Sequence, residues 1–142
     1  MPADLVVIDT SAWIYALRKQ PHPIVRDRVD VLLQDGKVAL VPPVRTELLG
    51  GTRTDSERER LLRRLGGLLH IPFQESDWEM AAEWMFQLRR SGLTIPTLDL
   101  LIAAPTWRMG AVLLHTDRDF DRAGPRIGLR VESLVEAVAG RT

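Results

Sequence analysis

Two short apolar runs, each followed closely by an aspartate, constrain the fold of this chain more than any other feature of its sequence. Residues 5–8 read Leu-Val-Val-Ile and precede Asp9, and residues 111–114 read Ala-Val-Leu-Leu and come shortly before Asp117. Short uninterrupted apolar runs are typical of strands that are buried on both faces, as they are in parallel sheets. Ligands of such sheets bind beyond the carboxyl ends of the strands. The sequence therefore predicts that both aspartates lie at one edge of a sheet.

Segments with helical periodicity separate the apolar runs along the whole chain. Strands separated by helices favour an α/β fold with three layers, in which helices cover both faces of a mostly parallel central sheet. Pro105 is expected to bend or interrupt its helix, because it lacks the backbone N–H of a helical hydrogen bond. The predicted strands cover residues 5–8, 38–41, 68–73, 112–115 and 129–131, and the predicted helices cover residues 11–18, 24–34, 42–49, 56–65, 76–90, 97–109, 119–122 and 132–138.

Composition restricts the class of protein. A length of 142 residues predicts a single domain over residues 1–142. The absence of cysteine excludes disulfides, zinc fingers and thiolate chemistry. A formal net charge of zero argues against a histone-like mode of nucleic-acid binding, although it leaves room for a local basic groove. No apolar run has the length of a membrane span, so a soluble, cytoplasmic protein is the simplest expectation.

Four acidic residues are candidates for one site: Asp9, Glu47, Asp99 and Asp117. Asp99 is the hardest to explain structurally, because leucines precede and follow it and a carboxylate is rarely buried without a partner. Each acid also has an ordinary explanation. Asp9 and Asp117 can cap the helices that follow them, Glu47 can be a solvated helix residue, and Asp99 can pair with an arginine.

Carboxylates that converge on one point repel one another and raise each other's pKa values unless a divalent cation keeps them ionised. Oxygen ligands without cysteine or histidine favour Mg²⁺, or Mn²⁺ as a substitute, over zinc. Such an ion supports the hydrolysis of a phosphodiester. A metal-dependent phosphodiesterase is therefore the first functional hypothesis.

Four strings in the sequence carry a resemblance to a known family. Residues 7–14 resemble the opening of a PIN-domain ribonuclease, residues 42–50 its second motif, residues 95–104 its third and residues 114–120 its fourth. The match covers nearly the whole chain, in order and at family-like spacing. The compact length most resembles the VapC toxins of type II toxin–antitoxin pairs.

This resemblance implies a PIN-like three-layer domain that forms a homodimer and cleaves RNA endonucleolytically with Mg²⁺ or Mn²⁺, which inhibits translation. It also implies a cognate antitoxin protein as a partner. Carried over residue by residue, the catalytic and metal-binding positions are Asp9, Glu47, Asp99 and Asp117, and the secondary positions are Asp119, Thr10, Ser11 and His115.

Two departures from the family pattern keep an alternative open. His115 stands where many members have serine or threonine, and either a buried, hydrogen-bonded ring or a general base would explain it, the first being favoured. Pro105 stands where the family continues its helix with small residues. The alternative is a catalytically degenerate PIN-like module that binds a protein or RNA partner. A phosphoryl-transfer domain with Asp9 as nucleophile fails, because Ser11 stands where a second acid is needed and no lysine follows Lys37.

Overall fold

Five short strands form one sheet in the order β3-β2-β1-β4-β5, and every neighbouring pair is parallel. The computed structural model describes residues 4–139. The sheet thus confirms the predicted α/β class and is fully parallel within the described residues. The strands are β1 (Val6–Ile8), β2 (Val38–Leu40), β3 (Leu69–His70), β4 (Val112–His115) and β5 (Val131–Ser133).

Helices connect the strands and lie on both faces of the sheet. Strands β2 and β3 continue outward on one side of β1, whereas β4 and β5 lie on the other side. Because crossovers between parallel strands are right-handed, the two directions place their helices on opposite faces. No helix within residues 4–139 has both the length and the apolar character of a membrane span. The helices are α1 (Thr10–Leu17), α2 (Pro23–Gln34), α3 (Pro42–Gly50), α4 (Asp55–Gly66), α5 (Glu75–Arg90), α6 (Thr97–Arg108), α7 (Arg118–Ile127) and α8 (Val135–Ala139).

The strand order reverses between β1 and β4, and this point positions the site. Val6 pairs with Val112 and Ile8 pairs with Leu114, so the two strands end together. The Asp9 N–H donates to the Leu114 carbonyl over 2.8 Å, which extends the pairing by one residue. Ligands of parallel sheets bind at such a switch point.

One hydrophobic core joins the sheet to its helices. Val7, Ile8, Leu113 and Leu114 have no exposed surface, as expected for strands covered on both faces. Burial of each such side chain contributes about 1.5–3 kcal/mol. The single domain over residues 1–142 stays a prediction.

The sequence-based boundaries after β4 are wrong. Helix α7 runs from Arg118 to Ile127 instead of stopping at residue 122, and Phe120, Ala123 and Ile127 bury its apolar stripe. The helix ends at Gly128, whose φ of 72° is the left-handed conformation that glycine adopts without strain. Strand β5 therefore begins at Val131 instead of residue 129, and helix α8 begins at Val135 instead of residue 132.

Close packing adds a second constraint at this end of the sheet. A Cβ on Gly124 would lie 3.3 Å from Val131 Cγ1. A larger residue at position 124 would therefore require Val131 to shift by a few tenths of an ångström.

The predicted interruption of α6 does not occur. The helix is continuous from Thr97 to Arg108, with Pro105 buried inside it. Thr106 Oγ1 donates to the Ile102 carbonyl over 2.8 Å, one residue from the hydrogen bond that proline removes. Asp99 keeps its place in the first turn of the helix.

Candidate active site

Asp9 is the N-cap of α1 and is also almost completely buried, with 4% of its surface exposed. Its Oδ2 atom accepts hydrogen bonds from the Ser11 N–H over 3.1 Å and from Ser11 Oγ over 2.5 Å. Burial raises the pKa of Asp9, the Ser11 hydrogen bonds oppose that rise, and the charges of Asp117 and Glu47 add to it. Capping and participation in the site are thus compatible roles for this residue.

Two hydroxyl side chains at the start of α1 tie separate parts of the site together. Thr10 Oγ1 donates to Glu47 Oε1 over 2.6 Å, which connects α1 to α3. Ser11 Oγ, besides donating to Asp9, accepts from the Thr116 N–H over 3.1 Å and so connects α1 to the loop after β4. Each hydroxyl therefore orients an acid instead of only capping the helix.

Asp99, Asp117 and Asp119 form a cluster of carboxylates. One ligand atom from each lies within 4.8 Å of the others. Asp117 is the N-cap of α7, and its Oδ1 atom accepts from the Asp119 N–H over 2.9 Å. The sequence named Asp119 only as a secondary position, whereas the structure places it in the central triplet.

Asp99 has the least favourable electrostatic environment of these acids. Its Oδ2 atom is sealed from solvent and has no hydrogen-bond partner among residues 4–139. Burial raises the pKa of Asp99 to about 7, and the negative charges of Asp9, Asp117, Asp119 and Glu47 contribute to the rise. The alternative of a salt bridge finds no support, because no ion pair within the described residues includes Asp99.

This arrangement fits a divalent cation by its donor chemistry. Three oxygens within 4.8 Å of one another are close enough to bind one ion, and the sealed Asp99 oxygen has no hydrogen-bond partner in the part of the chain that the structure describes. The donors are carboxylates alone, which suits Mg²⁺ or Mn²⁺ better than zinc. A cation would also offset the repulsion that raises the Asp99 pKa.

Comparison with known proteins gives the family. The PIN domain family model matches residues 6–124, a range that contains every acid of the site. The chain belongs to the PIN-domain family. The family predicted from the four motifs is therefore confirmed.

Relatives within this family are VapC ribonucleases. Ribonuclease VapC11 of Mycobacterium tuberculosis (strain ATCC 25618 / H37Rv) is 34% identical over 121 residues, which cover 82% of this chain and 90% of the relative. Ribonuclease VapC18 of the same strain is 29% identical over 132 residues, which cover 90% of this chain and 93% of the relative. At this identity and coverage, the PIN-domain chain is a member of the VapC ribonuclease family, as predicted.

Solved structures show the same fold. A chain of VapBC2 from Rickettsia felis, bound to a DNA fragment from its promoter, matches with a TM-score of 0.76 and 24% identity over 91% of this chain and 98% of its own length. A chain of FitAcB from Neisseria gonorrhoeae matches with a TM-score of 0.70 and 22% identity over 89% of this chain and 96% of its own length. The predicted PIN-like three-layer fold is confirmed.

His115, the departure from the usual PIN-domain serine or threonine, is completely buried. Its Nδ1 atom accepts a hydrogen bond from the Asp117 N–H over 3.1 Å, so the proton of the neutral ring belongs on Nε2. The Nε2 atom lies 3.4 Å from Asp121 Oδ1 but lacks hydrogen-bond geometry. Burial lowers the His115 pKa, which favours this neutral form. The predicted buried, hydrogen-bonded ring is observed.

Sequence reasoning missed Asp121 as a neighbour of this histidine in the PIN-domain site. Asp121 stands in the charged run Asp119-Phe120-Asp121-Arg122, which reads as a solvated face. Its place in the first turn of α7 brings this acid toward His115 at the end of β4. No signal in the sequence distinguishes it from the exposed acids around it.

Proposed function

We propose that this VapC-family chain is an endoribonuclease that requires Mg²⁺ or Mn²⁺ and acts as the toxin of a toxin–antitoxin pair, hydrolysing RNA and thereby inhibiting translation. The observation that carries the proposal is the sealed Asp99 Oδ2 atom, which lacks a partner among residues 4–139 while like charges surround it. Such an arrangement destabilises the fold unless an ion or a proton binds there. Four acidic side chains surround Asp99, and such clustering of like charges favours a functional explanation.

Asp99, Asp117 and Asp119 would hold the ion, and Asp9 and Glu47 would complete the negative site. A bound divalent cation supplies the Lewis acidity that phosphodiester hydrolysis requires. The protein contributes the fixed geometry. Ser11 holds Asp9 Oδ2, which leaves Oδ1 of that residue without a hydrogen-bond donor among the described residues.

Two backbone contacts keep the fourth acid in place. The Asp119 N–H binds Asp117 Oδ1, and His115 Nδ1 accepts from the Asp117 N–H. Both the side chain and the backbone N–H of Asp117 are therefore held by hydrogen bonds. This pre-organisation avoids reorganisation during the reaction, a condition for electrostatic catalysis.

The partners follow from the same proposal. The solved relatives include VapBC from Salmonella typhimurium and a toxin–antitoxin complex from Klebsiella pneumoniae. By this relation we assign a cognate antitoxin to the chain, together with an RNA substrate and assembly as a homodimer. A cytoplasmic location, where RNA and antitoxin would be available, is part of the proposal.

The catalytically degenerate module is the less favoured function. It requires a site that has lost its ligands or their arrangement, yet Asp99, Asp117 and Asp119 lie close enough together to hold one ion, and the charges of Asp9 and Glu47 also act on Asp99. His115 and Pro105, the two departures that kept this alternative open, leave the acids in place.

Cleavage of a mixed transfer and ribosomal RNA pool tests the proposal. The purified parent and the near-isosteric variant Asp99→Asn are incubated with Mg²⁺, with Mn²⁺ and with chelator. Discrete fragments that require both metal and Asp99 are expected. Intact RNA in every lane, combined with the absence of Mn²⁺ binding by calorimetry, would support the degenerate module instead.

A further inference from the structure

A groove lies beside the acid site, between the start of α3 and the edge strand β3. Its volume of about 470 Å³ lies within the range of pockets that hold small organic ligands. None of the five acids of the site lines the groove. Metal binding and hydrolysis, as proposed above, therefore leave the groove without a role.

The topology places the groove at the same edge of the sheet as the acids. Strands β1, β2 and β3 are parallel neighbours, so the ends of β1 and β3 lie about 10 Å apart at about 4.8 Å per strand. Thr46 lines the groove, whereas the next residue, Glu47, accepts the hydrogen bond from Thr10 in the acid site. Helix α3 thus borders both places, and an RNA strand that is cleaved at the acids can extend into the groove.

The walls of the groove are largely apolar and are fixed by the sheet. Val41 and Ile71 are almost completely buried, and Pro42 and Pro72 add their rings to the lining. The Ile71 N–H donates to the Leu40 carbonyl over 2.9 Å, which holds the ends of β2 and β3 together. A rigid apolar surface of this kind suits the flat face of a nucleobase.

His70 adds an aromatic ring to these walls. Its Nε2 atom donates to the Leu65 carbonyl over 3.1 Å, which ties the ring to the end of α4. Because the ring is already held, little side-chain entropy is lost when a base stacks on it. Unpaired RNA bases stack on histidine, whereas the bases of a duplex already stack on one another. The groove therefore suits a nucleotide that is not base-paired.

Arg45 supplies positive charge next to the acidic site. Its side chain is exposed and takes part in no ion pair within residues 4–139. Pro42 and Pro43 open α3 and have no backbone N–H, so the start of this helix offers few donors to a phosphate. Phosphate binding in the groove therefore depends on side chains, and the planar guanidinium fork matches phosphate geometry.

We infer that this groove is a subsite for one unpaired nucleotide of the RNA, whose base stacks on His70 and whose phosphate binds Arg45. The inference rests on the proposed function, because it takes RNA as the substrate, and it adds that the segment beside the cleaved bond is single-stranded. Every base has a face that stacks, so the subsite distinguishes unpaired RNA from duplex and not one base from another.

Nuclear magnetic resonance tests the stacking directly. The parent is titrated with hexaadenylate in the presence of chelator, so that binding is observed without cleavage. The chain has three histidines, of which His115 is completely buried and His22 lies outside the groove. Hexaadenylate is expected to shift the ring protons of His70 upfield and to leave those of His22 unchanged, and an RNA duplex should shift neither. An unshifted His70, or equal shifts of His70 and His22, would overturn the subsite.

The affinity for fluorescently labelled hexaadenylate, measured by anisotropy in the same buffer, tests the role of the ring. His70→Ala is expected to weaken binding about tenfold, because one base loses its stacking partner. His70→Phe should restore most of the affinity, since it keeps an aromatic face. If both variants bound equally, His70 would not be a stacking surface.

The phosphate contact is tested in the same assay. Arg45→Gln is expected to weaken binding about tenfold and to reduce the dependence of affinity on salt, as the loss of one phosphate contact requires. The control Arg90→Gln removes the same charge at the far end of α5, which begins three residues after Pro72, and should bind like the parent. Equal weakening by both changes, or none by Arg45→Gln, would contradict the inference.

The two proposals fail separately, because binding is measured without metal and hydrolysis with it. A parent that cleaves the transfer and ribosomal RNA pool while hexaadenylate leaves His70 unshifted overturns the subsite alone. A parent that binds hexaadenylate through His70 and Arg45 but leaves the pool intact overturns the ribonuclease alone.

Discussion

Two carboxylates in this molecule, Asp77 and Asp99, have opposite environments. Asp77 in α5 is 2% exposed, and Arg108 binds both of its oxygens, with Nε–Oδ1 at 2.9 Å and Nη2–Oδ2 at 3.0 Å. The Gln74 N–H donates to it as well, over 2.8 Å. Asp99 in α6 has a sealed oxygen that lacks a partner within residues 4–139, and burial, together with the charges of four acids, raises the pKa of Asp99 to about 7.

The difference separates a structural carboxylate from a functional one. The charge of Asp77 is neutralised and its hydrogen bonds are satisfied, so it contributes to stability and offers nothing to a ligand. The charge of Asp99 is available to a ligand, and the fold is less stable while no ligand is bound. Among residues 4–139, the buried Asp9 and the sealed Asp99 oxygen, both without a cationic partner, lie at the switch point of the sheet.

The largest expected effect is on catalysis, and it tests the functional side of this comparison. Asp99→Asn is expected to lower the rate of RNA cleavage at least about 100-fold, because it removes one charge from the metal site while conserving shape. The far-ultraviolet circular dichroism should match that of the parent. Cleavage at the parent's rate would show that Asp99 is not an essential ligand.

The structural side is tested by Asp77→Asn. The change leaves the Arg108 charge without its partner and is expected to lower the free energy of unfolding by about 3 kcal/mol, the lower end of the usual range, because Arg108 is 21% exposed. Urea denaturation measures the loss. At a temperature where the variant is folded, its RNA cleavage should equal that of the parent, and a selective loss of activity would argue against a purely structural Asp77.

Metal and pH sharpen the comparison further. Mn²⁺ at about a hundred times its dissociation constant should raise the free energy of unfolding of the parent by about 2.7 kcal/mol. This rise in the free energy of unfolding should be much smaller for Asp99→Asn than for the parent. For Asp77→Asn it should equal that of the parent. Thermal melts with and without Mn²⁺ measure the effect, and an equal response of all three proteins would exclude Asp99 as a ligand.

Without metal, the pKa of Asp99 sets the direction of the pH dependence. The folded pKa of about 7 exceeds the ordinary value of 3.8, so the folded state binds the proton more tightly. Stability is then highest below the lower value and falls as the pH rises toward the upper value. Relative to Asp99→Asn, the metal-free parent should therefore lose stability between about pH 4 and 7. A parent that gains stability over this range relative to the variant would contradict the shift.

The smallest expected effect concerns His115, which holds the backbone of Asp117. The amide oxygen of Asn can replace Nδ1 as acceptor for the Asp117 N–H, whereas that of Gln lies nearer the position of Nε2. His115→Gln is expected to weaken Mn²⁺ affinity about tenfold, and His115→Asn less. Both variants lose the packing of the His115 ring against Phe120, so this loss is common to the two proteins. If calorimetry gave equal Mn²⁺ affinities for the two variants, His115 would not be a positioning residue for Asp117.

Much of the fold was predictable, because the apolar runs of the sequence are also the segments that the structure buries. The runs before Asp9 and Asp117 form central strands that are buried on both faces, and such strands must be apolar throughout. The region after β4 was not predictable in this way. Helix α7 continues to Ile127 because Phe120, Ala123 and Ile127 are buried in the core, and such burial exists only once the strands and the helix are packed together.

The sequence by itself determined the α/β class, the PIN-domain family and the residues from which the site is built, since strand periodicity and motif order are properties of the chain alone. Only the tertiary structure decided which carboxylates remain unpaired. Arg108 reaches Asp77 from 31 residues away, while no comparable cation reaches Asp99 within the described residues. It also decided that Asp119 joins the central triplet and that His115 faces Asp117 instead of solvent. Pairing and burial are properties of distance in space, and a linear pattern of charges does not contain them.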